Sequence, residues 1–172
     1  SEMSRDLSLI AEQADRCKSI VAGLLDFARQ NKVETREVRV TDLIDSSLHA
    51  CVVPERVKVS VRHSDPGLDV MVDVDQFAQV VANLVRNAAD AMPDGGEVTV
   101  TSESVDDGLR IRVNDTGCGI PRDLLGKIFE PFFTTKPRGA GTGLGLAVIY
   151  GIVKMHRGDL SVASHADPDA GP

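Results

Sequence analysis

Asn83-Leu84-Val85-Arg86-Asn87-Ala88-Ala89-Asp90-Ala91-Met92 closes a run, residues 75 to 92, in which Phe77, Val80, Val81, Leu84, Val85 and Ala88 recur at helical spacing. That spacing predicts a long helix, stopped by Pro93-Asp94-Gly95-Gly96. Along it Asn83, Asn87 and Asp90 fall at steps of four and three, so three polar side chains share one edge of an otherwise apolar helix. Two readings of such an edge are open: it lines a pocket, or it is simply solvated. Amide oxygens are hard ligands that suit Mg²⁺ without adding charge, which helps where the other ligands are phosphate oxygens.

Working outward, Val57, Val59 and Val61 alternate with polar residues as a half-buried strand, and Val70 to Val72 gives a second one past Asp65-Pro66-Gly67. Farther upstream, alternation at Val38 and Val40 leads into a helix capped by Thr41 and carrying Leu43, Ile44, Ser47, Leu48 and Cys51. Downstream, Val98 and Val100 alternate with Thr99 and Thr101, Asp106-Asp107-Gly108 supplies a turn, and Leu109, Ile111 and Val113 return as a hairpin partner. From Asp115 to Thr142 the chain is rich in Gly and Pro with little periodicity, a long functional loop with at most a short helix near residues 121 to 128. A helix from about Gly143 to His156 and a strand at Leu160 and Val162 complete the pattern. Elements in this order predict an α+β fold, a two-layer sandwich whose open, largely antiparallel sheet carries helices on one face.

At the other end, Leu7, Ile10, Ala14, Cys17, Val21, Leu24 and Ala28 recur at alternating steps of three and four, the seam of a bundle or coiled-coil helix. A polar linker near residues 30 to 36 separates it from the rest, giving expected domains of 1–32 and 33–172.

Composition narrows the function. The 172 residues, 42% hydrophobic, suffice for one full core and a short appendage. Net charge is −7 with Lys and Arg scattered, which argues against nucleic-acid binding. Cys17, Cys51 and Cys118 have no zinc or disulfide spacing, and a reducing cytosol fits them best. No apolar stretch approaches the length of a membrane helix, and no signal peptide is evident.

Three more segments carry chemistry. Asp115-Thr116-Gly117-Cys118-Gly119-Ile120 leaves a strand with a carboxylate and two glycines, able to accept a hydrogen bond from a flat ligand and let it approach the backbone. Asp-Thr-Gly also marks aspartic proteases, but they need a second copy and none occurs. Gly141-Thr142-Gly143-Leu144-Gly145-Leu146 opens a helix, where free N–H groups favour phosphate, yet it is neither a Walker loop nor a Rossmann turn. Between them, Phe129-Glu130-Pro131-Phe132-Phe133-Thr134-Thr135-Lys136 combines aromatics, hydroxyls and a cation, the makings of a lid hinge or of core.

Asn83 to Met92, Asp115 to Ile120, Phe129 to Lys136 and Gly141 to Leu146 resemble, in order and spacing, the four nucleotide-binding boxes of the sensor histidine kinase catalytic domain. That domain shares a superfamily with DNA gyrase B, the Hsp90 chaperones and MutL. NLVRNAADAM, FEPFFTTK and GTGLGLAVIYGIV look most like the nitrogen-sensor and sporulation-kinase branch, and RCKSIVAGLLDFAR resembles the second helix of the dimerisation and phosphotransfer hairpin. The resemblance implies a Bergerat-type ATP-binding fold with ATP and Mg²⁺ as ligands. It gives the metal to Asn87, with Asn83 beside it and Arg86 near the phosphates. Asp115 would bind the adenine amino group, and Gly117, Gly119 and Ile120 would belong to the base pocket. Phe129, Thr135 and Lys136 fall in the ATP lid, about Phe129 to Ala140, and the backbone of Gly141, Thr142, Gly143, Leu144, Gly145 and Leu146 would hold the polyphosphate. Asp90 stands where many such kinases have a basic residue.

Gyrase-type and chaperone-type hydrolases carry a glutamate four residues before the metal-binding asparagine, and here that position is Asn83. An amide takes no proton at neutral pH, so transfer of the γ-phosphate is expected over hydrolysis. The alternatives are a hydrolytic ATPase and a nucleotide-sensing module. The acceptor segment, His-Glu followed by Asn-Pro in the family, does not occur; His49, His63, His156 and His165 have no acidic neighbour to act as a base. The chain alone is therefore expected not to autophosphorylate, and a last C-terminal strand is expected to be missing. The implied partners are a response regulator and, in the intact kinase, a second copy; dimerisation of the chain as it stands is open. The implied location is cytoplasmic, either outright or as the inner part of a membrane-anchored kinase.

Overall fold

The first strand, β1 (Arg36–Arg39), runs straight into helix α1 (Val40–His49) in the computed structural model, which describes residues 33–106, 108–137 and 141–165. The expected heptad helix and the tail beyond residue 165 lie outside the described residues. Two units divide the chain: residues 33–125 with those from 160 on, and residues 126–159.

In the larger unit, β1 pairs antiparallel with β3 (Asp69–Val72) as a separate ribbon, Arg36 opposite Val72. The main sheet has three strands: β2 (Val57–His63) lies parallel to β4 (Gly96–Val105), which turns back antiparallel to β5 (Gly108–Asp115). Between β3 and β4 runs α2 (Val74–Asp90).

The period of two in β4 and of about 3.6 in α2 decides what is buried. Val98 and Val100 are 0% exposed and join Ala88 and Ala89 from the last turn of α2, Met92 just past its end, and Val40 and Ile44 from α1 in one apolar cluster. Each Val, Ile or Met side chain among them contributes about 1.5–3 kcal/mol by leaving water. The alternate positions of the sheet are polar, and there Glu103 accepts from both Arg110 and Arg112 at 3.1 Å. One apolar and one polar face is what the alternation in the sequence requires.

The termini of the helices differ from the sequence expectation. Asp73 caps α2, its carboxylate accepting the N–H of Gln76 at 3.1 Å and, from a distant segment, that of Glu34 at 2.9 Å. Thr41 caps nothing: α1 begins at Val40. The reason is tertiary, since the Val40 N–H donates to the carbonyl of Leu68 at 2.9 Å and its side chain is fully buried, so no side-chain cap is needed. The strand expected at Leu160 and Val162 is also absent. Residues 160–165 find no ladder partner among the described residues, and without one an extended segment is not a strand. Residues 122–129 form turns in place of the short helix, with Leu124 N–H bonded to Pro121 O.

In the smaller unit, α3 (Gly145–Met155) buries Ala147, Val148, Ile149 and Ile152, and Ile128 is buried as well. Among the described residues no helix is long and apolar enough to cross a membrane.

Candidate functional site

The polar edge of α2 forms as the spacing predicted. Asn83 is buried at 7% exposure, Asn87 is half-buried, and Arg86 and Asp90 are exposed. The Arg86 guanidinium donates to the Asn83 amide oxygen one turn away. Asn87 makes no side-chain hydrogen bond among the described residues.

The end of α2 meets the Asp-Thr-Gly turn. The Cys118 N–H donates to the Ala91 carbonyl at 3.2 Å, and Thr116 Oγ1 accepts the Glu97 N–H at 3.1 Å while donating to the Met92 sulfur at 3.4 Å. Gly117 is the residue this junction needs. A Cβ there would lie 2.7 Å from the Ala91 Cβ and 2.8 Å from the Ala91 oxygen, closer than side chains approach. Gly119 has φ 75°, a left-handed conformation that glycine takes at no steric cost. The Ile120 N–H donates to Ser164 Oγ at 2.7 Å, fixing the exit of the turn.

Asp115 ends β5 with its carboxylate exposed. Its Oδ1 accepts the Gly117 N–H at 2.9 Å, a local Asx turn, and Oδ2 is engaged by none of the described residues. The arrangement holds one carboxylate oxygen still and offers the other to a donor.

In the smaller unit the Phe129 segment folds against the glycine-rich one. The Phe132 N–H donates to the Gly143 carbonyl at 2.9 Å. A Cβ on Gly143 would stand 2.3–2.7 Å from the Phe132 backbone, and its φ is 68°, so only glycine fits. Gly141 is similarly close to Thr134 and Lys136, with 2.9 Å to Thr134 Oγ1. Phe129 packs on Tyr150 of α3, ring centroids 6.0 Å apart, so this Phe is an anchor; Phe132 is 58% exposed. Thr135 is exposed, and Lys136 is half-buried with its N–H on Thr134 Oγ1 at 3.2 Å. The helix starts at Gly145, two residues later than expected, because Gly143 is left-handed and cannot begin it. Thr142 Oγ1 accepts the Leu144 N–H at 3.4 Å, and the N-cap, Leu144, has no side chain able to close the first turn of α3, so Leu146 and its neighbours are not capped by it. Residues 138–140 of the expected lid lie outside the described residues.

The structure thus joins Asn83, Asn87, Asp90, Asp115, Gly117, Gly119 and Ile120 in one unit, and Phe129, Thr135, Lys136 and Gly141 to Leu146 in the other. Sequence reasoning missed Ala91 and Ser164, which tie down the two ends of the Asp-Thr-Gly turn. One is a backbone acceptor and the other a remote hydroxyl, and neither leaves a pattern in the sequence.

Residues 72–171 match the family model of histidine kinase-, DNA gyrase B-, and HSP90-like ATPases. The chain belongs to that family. Within the family it is 38% identical over 170 residues to the sensor kinase CckA of Brucella abortus, an alignment that takes in 89% of this chain and 18% of CckA. The nucleotide-free catalytic domain of the histidine kinase ThkA is 32% identical with a TM-score of 0.61, over 70% of this chain and 80% of that one. Full-length ShkA in complex with AMPPNP is 25% identical with a TM-score of 0.72, over 90% of this chain and 34% of ShkA. ThkA in complex with the response regulator TrrA is 26% identical with a TM-score of 0.69, over 91% of this chain and 45% of that one. The chain spans about a third or less of the curated relatives it matches.

Proposed function

We propose that this chain is the ATP-binding catalytic region of a sensor histidine kinase, one that passes the γ-phosphate of ATP to a histidine carried on a separate hairpin segment, for relay to a response-regulator aspartate. The observation that carries the choice of transfer over hydrolysis is Asn83. It is buried at the α2 position where hydrolytic relatives keep a glutamate, and its oxygen is already occupied by Arg86, so nothing at that position takes a proton from water.

In the larger unit the Asp115 oxygen that no described residue engages suits the exocyclic amino group of adenine. Binding of AMPPNP by ShkA supports an adenine nucleotide as the ligand. Asn87, half-buried and with no side-chain hydrogen bond among the described residues, fits Mg²⁺, which when bound would neutralise phosphate charge. In the smaller unit Lys136 and the backbone from Gly141 to Leu146 are the groups suited to phosphate. Residues 1–32 would be a hairpin helix and 33–172 the catalytic domain. A response regulator, as in the ThkA complex, a second copy in the intact kinase and a cytoplasmic location belong to the same proposal.

The test supplies a hairpin fragment bearing the acceptor histidine in trans, with radiolabelled ATP and Mg²⁺. Label on that histidine, with little phosphate released by the chain alone, is the expected result. Brisk phosphate release without transfer would assign the chain to the hydrolases, and binding with neither would assign it a sensing role.

A further inference from the structure

We propose that the outer edge of β2, with the cavity between it and α1, is a docking site for an extended segment of a partner protein in which acidic and apolar residues alternate. The segment adds to the sheet as a further strand.

Two bonds fix which main-chain groups face that edge. The Gly96 N–H donates to the Arg56 carbonyl at 3.3 Å and the Ser64 N–H to the Ser102 carbonyl at 2.9 Å, one at each end of the parallel β2–β4 ladder. Main-chain groups alternate sides along a strand, so Lys58, Ser60 and Arg62 direct theirs to β4, and Val59 and Val61 turn their N–H and C=O outward. Among the described residues no strand pairs with that side of β2. The same two valines, with Asp45, Leu48 and His49 of α1, line a cavity of about 250 Å³. An apolar cavity of about 150 Å³ takes a benzene ring, so this one accommodates aliphatic side chains of an added strand. Backbone and side-chain recognition thus fall on one pair of residues.

Charge selects the occupant. Lys58 and Arg62 stand exposed on the polar face of β2. The ion pairs among the described residues are Arg39–Asp69, Arg110 and Arg112 with Glu103, and Lys154–Asp159; none includes Lys58 or Arg62. The strand that β2 already holds shows the complement: in β4, Glu97 lies opposite Lys58, and Val98 and Val100 lie opposite Val59 and Val61. A strand on the outer edge meets the same alternation from the other side, with carboxylates attracted to Lys58 and Arg62. Asp45, at the cavity, repels a carboxylate turned inward. A second copy of β2 fits badly, because antiparallel overlap of all seven residues sets Lys58 opposite Arg62, like charges in direct register.

The test uses the whole chain and a fluorescent, end-blocked peptide of alternating glutamate and valine, as long as β2, read by polarisation and by amide hydrogen exchange. Saturable binding is expected, with exchange slowed at the Val59 and Val61 amides and little changed at Ser60 and Arg62. Val61→Pro removes an outward donor without touching the ladder to β4, and should weaken the peptide about tenfold or more. Arg62→Glu should weaken it about fivefold and shift preference toward a lysine–valine peptide. Should Val61→Pro fail to fold, Arg62→Glu with the two peptides decides the matter, since that side chain is exposed. Absence of saturable binding, equal binding of a scrambled peptide of the same composition, or protection confined to amides away from Val59 and Val61 overturns the inference. A dimer of the chain that Val61→Pro dissolves would assign the edge to a second copy and overturn it as well.

Discussion

The backbone N–H of Cys118 donates to the carbonyl of Ala91 at 3.2 Å, so the turn that presents Asp115 is fastened to the end of the helix that presents Asn87. Two motifs more than twenty residues apart in sequence thereby become one surface, and Gly117 is the spacer that permits it. Gly117→Ala would push a methyl to within 2.7 Å of the Ala91 Cβ. We expect a loss of about 1–3 kcal/mol, a melting temperature lower by roughly 3–10 °C, and nucleotide affinity reduced beyond what the stability loss explains. Thermal melts with and without ATP check both parts.

Asp73 joins α2 to the segment entering from the N-terminal side, accepting N–H groups of both Gln76 and Glu34. Asp73→Ala removes a cap and strands a second donor, which should cost about 1–2 kcal/mol. A drop in melting temperature of under about 1 °C would contradict this role.

The two cysteines of the described region should react unequally. Cys118 is exposed, whereas Cys51 is half-buried with its thiol on the Ser47 carbonyl at 3.1 Å, and burial pushes that thiol up against a weaker opposing pull from Arg86. Iodoacetamide near neutral pH should label Cys118 roughly tenfold faster than Cys51, followed by peptide mass spectrometry. Saturating ATP should slow labelling of Cys118, which sits inside the Asp-Thr-Gly box, and leave Cys51 unchanged.

Across the β1–β3 ribbon, Arg39 donates to Asp69 at 2.5 Å and holds its carboxyl below the usual range. A lowered native pKa stabilises above the unfolded value and stops doing so as pH falls through the native one. Both side chains are more than two-fifths exposed, so the effect is small. Urea midpoints of the wild type and Asp69→Asn should differ slightly at neutral pH and converge in strong acid; a gap that widens in acid would reverse the sign.

The sequence was most legible where one period ran long enough to stand clear of chance. The helix over residues 74–90, the alternation of β4 and β5, and the polar edge of Asn83, Asn87 and Asp90 all follow from local spacing. It was least legible where a distant partner settles the outcome. The start of α1 depends on the Leu68 carbonyl, and the fate of Leu160 to Val162 on having a strand beside it. The parallel pairing of β2 with β4 likewise lies beyond spacing, because alternation reveals a strand and its faces but not the direction of its neighbour. The hydrogen bond between Arg86 and Asn83 was implicit in their separation of three, yet only the buried setting of Asn83 gives it meaning.

The most direct test of the account is calorimetric titration of the folded chain with ATP and ADP in the presence of Mg²⁺, alongside Asp115→Ala. Saturable one-to-one binding by the wild type, lost when the Asp115 carboxylate is removed, is the predicted result. A well-folded chain that shows no heat and no saturation with either nucleotide, or an Asp115→Ala variant that binds them as well as the wild type, would contradict it.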